Sequence, residues 1–276
     1  CYYSVQFIPA RAVGRIEDPP LQAQGKGGRL PSSFLNPCGG DCMKLPISQR
    51  LLLCAALVPP GARVADVGCD HGYLGIHLLK TGTAKHVIAT DLREKPLEKA
   101  RENARRLGAD GEMDFFVADG LSAVSPGQVD TIVIAGMGGD NIAAILEAAP
   151  WVKDPTYTLI LQPQTSGNDL RRYLGHAGFT IVTEHLVRDG GFLYFAMVVR
   201  FGGGVPLSPG QQYLSLPLLT SGDPLLPDYF ERVLSALART VSGIRAGGDE
   251  EKLTYYQRAL DEVQEMRETY ERTRNR

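Results

Sequence analysis

Three aspartates stand at equivalent places in the first half of the chain. Asp66 lies within a short apolar run, Val64-Ala65-Asp66-Val67. Asp91 closes the run His86-Val87-Ile88-Ala89-Thr90, and Asp119 follows Met113 to Ala118. Apolar runs of this length read as buried parallel strands, and ligands on open α/β sheets bind outside the carboxyl ends of the strands. A carboxylate after the second strand can accept both hydroxyls of a ribose, and one after the third can accept from the exocyclic amine of adenine. Asp66, beside the first turn, favours an ammonium group. Ribose, adenine and an amino acid together describe S-adenosylmethionine.

The turn after the first strand carries glycines at Gly68, Gly72 and Gly75. This is not the GxGxxG of dinucleotide sites, because Asp70 holds the second glycine position. A carboxylate there opposes a pyrophosphate, whereas a sulfonium ligand meets no such objection. The helix from Tyr73 to about Lys80 is expected to aim unpaired N–H groups and a positive dipole end at the ligand. Small residues at Gly136-Met137-Gly138-Gly139, after a fourth strand from Asp130 to Ala135, leave room for a target to approach. They equally suit a tight strand-to-helix turn.

These side chains need a scaffold of alternating strands and helices, and the sequence supplies one. A helix capped by Ser48 presents Leu51, Leu52, Ala55 and Leu57 and stops at Pro59-Pro60-Gly61. Strands are then expected at 63–67, 86–90, 113–118, 130–135 and 157–161, with helices near 73–80, 95–107, 141–149 and 169–177 between or after them. Phe179 to Val187 and Phe192 to Phe201 flank Arg188-Asp189-Gly190-Gly191, a hairpin signal. The fold class is α/β: a Rossmann-like, doubly wound, mostly parallel seven-stranded sheet with a C-terminal antiparallel hairpin. That ending resembles S-adenosylmethionine-dependent methyltransferases more than dinucleotide dehydrogenases, which continue βαβ. Residues 205–227 read as a connector with little periodicity. Two helices, 228–244 and 250–274, follow as a hairpin, expected as a solvated α-helical coiled-coil appendage. Three parts result: an extension at 1–42, a methyltransferase domain at 43–204, and a linker with helical hairpin at 205–276.

The extension is dominated by Pro, Gly and polar residues and is expected to be disordered or non-native, with Met43 close to the start of the folded domain. Over all 276 residues, 43% are hydrophobic and the net charge is −2, enough apolar content for a real core and no broad basic coat for nucleic acid. No apolar stretch approaches the ~20 residues that span a bilayer; no membrane partner and a cytoplasmic location are expected. Five cysteines suggest no disulfide framework, and Cys38 with Cys42 lacks a second ligand pair, so no metal is expected. The oligomeric state is open, with a monomer the simpler expectation.

Three motifs in combination, Asp66-Val-Gly-Cys-Asp70-His71-Gly-Tyr73-Leu, Ile134-Ala-Gly-Met137-Gly-Gly139 and Leu161-Gln162-Pro163, resemble the bacterial tRNA (adenine-22-N1)-methyltransferase family, a branch of the class I S-adenosylmethionine-dependent enzymes. The likeness covers 43–202, and the helical hairpin fits that family's coiled-coil domain. Gln164 stands where relatives often carry Asn. The resemblance implies methyl transfer from S-adenosylmethionine to N1 of adenine 22 in the D-arm, with tRNA as partner. It places Asp70, His71 and Tyr73 at the reacting centre. Cofactor contacts fall to Asp66, Gly68, Cys69 and Gly72; to Asp91 and Leu92; to Asp119 and Gly120; and to Ala135, Gly136 and Met137. Gly138, Gly139, Gln162, Pro163 and Arg188 face the substrate. Arg93, Lys95, Arg101, Arg171, Arg172 and the hairpin arginines are further RNA candidates. Two alternatives stand beside this reading: a methyltransferase of a small molecule or protein, and a non-catalytic cofactor- or RNA-binding protein.

Overall fold

The computed structural model describes residues 45–274; the expectations for 1–42, including Cys38 and Cys42, lie outside them. The chain runs α1 (Gln49–Leu57), β1 (Ala62–Val67), α2 (Tyr73–Lys80), β2 (Ala84–Asp91), α3 (Glu94–Leu107), β3 (Met113–Val117), β4 (Thr131–Gly138), α4 (Gly139–Ala148), β5 (Thr158–Thr165), α5 (Gly167–His176), β6 (Phe179–Asp189) and β7 (Phe192–Phe201). The seven strands form one sheet in the order β3-β2-β1-β4-β5-β7-β6. The first five are parallel, and β7 runs antiparallel between β5 and β6. The carboxyl ends of β1 to β5 and the β6–β7 turn therefore share one edge of the sheet.

Both faces of the sheet are covered, as parallel strands require. Val64, Val87, Val133 and Ile160 pack under Leu53, Cys54, Leu74, Leu78 and Leu97 on one side. Ala65, Ile88, Ile132, Ile134, Leu159 and Leu161 pack under α4 and α5 on the other. Helix α1 buries Leu53, Cys54 and Ala55 while Leu51 and Leu52 stay half-buried, so its inward face is turned from the one the apolar spacing suggests. Ser48 occupies the N-cap with extended backbone, but its side chain makes no capping bond.

Two regions depart further from the sequence reading. Strand β4 does not turn at Gly136. It continues to Gly138 with register irregularities on either side of Met137, and α4 starts directly at Gly139. Residues 205–227 are not a plain connector: they contain the short helices α6 (Pro209–Tyr213) and α7 (Leu216–Leu219). A capping box between Ser208 and Gln211 starts α6, and Leu214 and Leu218 are fully buried.

Helices α8 (Leu226–Gly247) and α9 (Glu250–Arg274) form an antiparallel pair, α8 ending at the left-handed Gly248. The pair is less solvated than a free arm. Tyr229, Phe230, Leu237, Ala259 and Val263 belong to the same buried cluster as the β4 and β5 side chains.

Candidate functional site

At the carboxyl end of β1, Asp66 points into the protein with 4% of its surface exposed, and its Oδ2 has no hydrogen-bond partner. Burial pushes its carboxyl up to about 7; the nearby Gly75 N–H pulls the other way, and the charge of Asp91 adds to the rise. An orphaned buried carboxylate is costly unless something else satisfies it.

The loop that follows is tied to itself. The amides of Gly68 and Cys69 both donate to the Thr90 carbonyl, at 2.8 and 2.9 Å. The Asp70 amide donates to Oδ2 of Asp91 at 3.3 Å, and that of Gly72 to the Cys69 carbonyl at 2.8 Å. These four loop amides are therefore engaged. An acidic turn with these amides engaged is a poor cradle for a pyrophosphate, but it suits a cationic ligand.

Glycines of this turn also serve packing. A Cβ on Gly72 would stand 3.0 Å from Cβ of Ala100, and one on Gly75 would press Met113 and Val87, so both let α2 settle against its neighbours. Cys69 is buried, and burial raises its thiol far above the usual range. Gly68 does face the site, with the Met137 side chain lying where its Cβ would be. Along the same edge Asp91 is half-buried, its Oδ1 accepting from the Arg93 amide at 3.1 Å. Leu92 next to it is 67% exposed, an unusual position for leucine and suited to covering a flat ring. Asp119 is exposed, and the Gly120 carbonyl accepts from Thr90 Oγ1 at 3.0 Å, fastening the third loop to the second.

Asp70, His71 and Tyr73 are brought together. Asp70 holds a left-handed backbone, φ 49°, uncommon outside glycine, and its carboxylate is exposed. His71 Nδ1 lies 3.4 Å from Asp70 Oδ1, and the imidazole meets the Tyr73 ring edge-on at 6.1 Å. Asn103 on α3, missed in the sequence, holds this loop: its Nδ2 donates to the His71 carbonyl at 3.0 Å while the residue is 2% exposed. A signal was available, since Asn103 falls on the same helical face as Leu97, Ala100 and Ala104.

On the β4–β5 side three residues expected at the substrate are buried. Gln162 is fully buried; its Oε1 accepts from the Gly136 amide at 3.2 Å and its Nε2 donates to the Pro163 carbonyl at 3.0 Å. It fixes the strand end. Pro163 is likewise buried, and Gly139 lies against Ser166 and Leu170, where any Cβ would collide. Ala135, Gly136, Met137 and Gly138 are half-buried along the edge. Arg188 is paired with Asp228 of α8 at 2.6 Å.

Other RNA candidates are also engaged. Arg171 is buried against Glu184, Arg172 pairs with Asp169, and Arg101 pairs with Glu94 near the Phe115 ring. Among the described residues, no three His, Cys, Asp or Glu side chains gather as metal ligands, and no helix is long and apolar enough to cross a membrane.

The donor set at this edge fits S-adenosylmethionine: an orphaned buried carboxylate for an ammonium, half-exposed Asp91 for a ribose, and Leu92 with Asp119 for adenine. The comparisons agree. Residues 47–197 match the family profile described as a methyltransferase domain. The tRNA (adenine(22)-N(1))-methyltransferase of Bacillus subtilis is 32% identical over 173 residues, 60% of this chain and 73% of that protein. The crystal structure of a B. subtilis M1A22 tRNA methyltransferase superposes with TM-score 0.72 at 26% identity, covering 81% of this chain and 99% of that one. A putative Streptococcus pneumoniae tRNA (m1A22) methyltransferase, solved with S-adenosyl-L-methionine, gives 0.67 at 33% identity over 78% and 99%.

Proposed function

We infer that this chain, which belongs to the bacterial tRNA (adenine-22-N1)-methyltransferase family, moves a methyl group from S-adenosylmethionine to N1 of adenine 22 in the tRNA D-arm. The observation that carries the reading is the buried Asp66 carboxylate with an unpartnered oxygen at a strand edge that also carries Asp70 and Asp91. Such an edge attracts an amino-acid cation and repels a dinucleotide.

S-adenosylmethionine, when bound, supplies an electrophilic methyl on a sulfonium. Asp66 holds the ammonium, Asp91 the ribose hydroxyls, Leu92 and Asp119 the adenine. The N1 lone pair of the target is free at neutral pH, so no side chain must first remove a proton. The protein's task is alignment and exclusion of water. Asp70 accepts from the N6 amine and offsets the positive charge that appears on the ring as the N–C bond forms and the C–S bond breaks. Tyr73 and His71 wall the pocket, and Gln162 keeps Gly136 in place beneath the entering base. The target must leave its stack to reach this edge, and the work is expected in the cytoplasm, on tRNA.

Labelled S-adenosylmethionine and unmodified tRNA test this. A methyl on N1 blocks the Watson–Crick edge, so reverse transcription stops beside it. One enzyme-dependent stop at adenine 22 is expected; label without a D-arm stop would move the substrate elsewhere. Asp70→Ala is expected to lower kcat by about a hundredfold with cofactor affinity retained, which a binding protein without turnover could not show.

A further inference from the structure

Above Gly136 stands an arginine that the chemistry so far does not use. Arg50, in the first turn of α1, places Nη1 3.2 Å from where a Gly136 Cβ would be, and Gln164 Nε2 lies 3.6 Å from the same point. Arg50 Nε is 3.3 Å from Asp189 Oδ2 at the β6–β7 turn, and both side chains are largely shielded, 25% and 19% exposed. One side of the guanidinium is thus anchored. Its Nη1, which makes no hydrogen bond to a described residue, faces the floor that the target must cross. Three segments distant in sequence, α1, the end of β4 and the hairpin turn, converge to build this corner.

The charge logic selects what it holds. The target adenine is neutral and becomes a cation on methylation, so an arginine against the base itself would oppose the reaction. A phosphate oxygen is the better match: guanidinium donors fit it geometrically, and charge-assisted bonds of this kind are the strong ones. We propose that Arg50, held ready by Asp189, binds the phosphate beside the target adenosine and so fixes the extruded nucleotide over Gly136. The proposal rests on the tRNA reading above. Asp189 orients the fork before RNA arrives, which lowers the ordering cost of binding, and Gly136 leaves the path below it clear.

The test places a neutral methylphosphonate on either side of adenosine 22 in a synthetic tRNA. With the unaltered enzyme, neutralising the contacted phosphate is expected to lower kcat/KM roughly ten- to a hundredfold. In Arg50→Met the same replacement should cost nothing further, and the slope of log affinity against log salt should become shallower by about 0.7 to 0.9. A merely structural arginine would not couple to one phosphate in this way. If neither methylphosphonate affects the unaltered enzyme, the proposal is overturned without recourse to any variant. It is equally overturned if Arg50→Met and the unaltered enzyme suffer the same loss. Absence of methyl transfer to any tRNA would bring down the functional reading and this proposal together; transfer indifferent to both phosphates brings down this one alone.

Discussion

Two buried acids in this molecule have opposite surroundings. Glu184 on β6 is fully enclosed and held by Arg171 of α5, whose Nε lies 3.2 Å from Oε2 and whose Nη2 contacts Oε1. The same guanidinium donates to the Gln212 carbonyl at 3.1 Å, reaches the Tyr229 hydroxyl at 3.2 Å and lies over the Phe195 ring at 4.1 Å. Asp66 is almost as deeply buried and has an oxygen with no partner. A buried carboxylate whose bonds are all met fastens elements together; here it joins α5 and β6 to α6 and α8. One left incomplete awaits a ligand. Burial alone does not separate the two roles, whereas hydrogen-bond satisfaction does.

Breaking the satisfied pair should have the largest effect. Arg171→Met leaves Glu184 buried without a counter-charge, and a loss of about 3–5 kcal/mol is expected. In a domain of this size that lowers Tm by roughly 10 °C, measurable by calorimetry. Cofactor affinity of the molecules that remain folded should be unchanged. Coupled loss of affinity would mean that the two acids are not independent.

Changing the unsatisfied acid should do the reverse. The Asp66 carboxyl titrates at about 7 in the folded protein, above its usual value, so the folded state keeps a proton that the unfolded chain releases. Its contribution to stability is full below about pH 4 and is lost as pH rises to about 7. Asp66→Asn should therefore stabilise the free protein at pH 8, by roughly 1–3 kcal/mol, while weakening S-adenosylmethionine binding. In the unaltered protein cofactor affinity should rise between pH 6 and 8, because ionisation creates the partner for the ammonium. A flat profile, or a destabilised Asn variant, would remove Asp66 from the site.

The sequence exposed these two acids unequally. Asp66, Asp91 and Asp119 were legible because strand ends follow from apolar runs, and the hairpin followed from Gly190-Gly191 between two β-rich segments. The role of Glu184 was not, since alternation in β6 marks a face without saying which helix supplies an arginine to it. Arg171 read as a surface cation for the same reason. Gln162 was recognised as part of a motif, but its bonds to the Gly136 amide and the Pro163 carbonyl were not legible, because a side chain that bonds to backbone leaves no local pattern. Gly72 and Gly139 were placed at the ligand by motif position, and the room that their missing Cβ atoms leave for contacts between elements was not visible there. Residues 205–227 hid two short capped helices, too brief for apolar spacing to reveal.

The smallest effect should come from Asn103, a satisfied polar residue that serves the open site. Its bond to the His71 carbonyl is a single neutral one, so Asn103→Ala should cost about 1 kcal/mol of stability, or a few degrees in Tm. The loop it restrains carries Asp70, His71 and Tyr73, whereas Asp66 and Asp91 sit on strands fixed by the sheet. Misplacing the loop should therefore lower kcat on tRNA several-fold more than the stability loss would suggest, with cofactor affinity close to normal. If affinity and turnover fall together, the loop and the strand ends act as one unit, and the division between an anchored cofactor side and an adjustable target side is wrong.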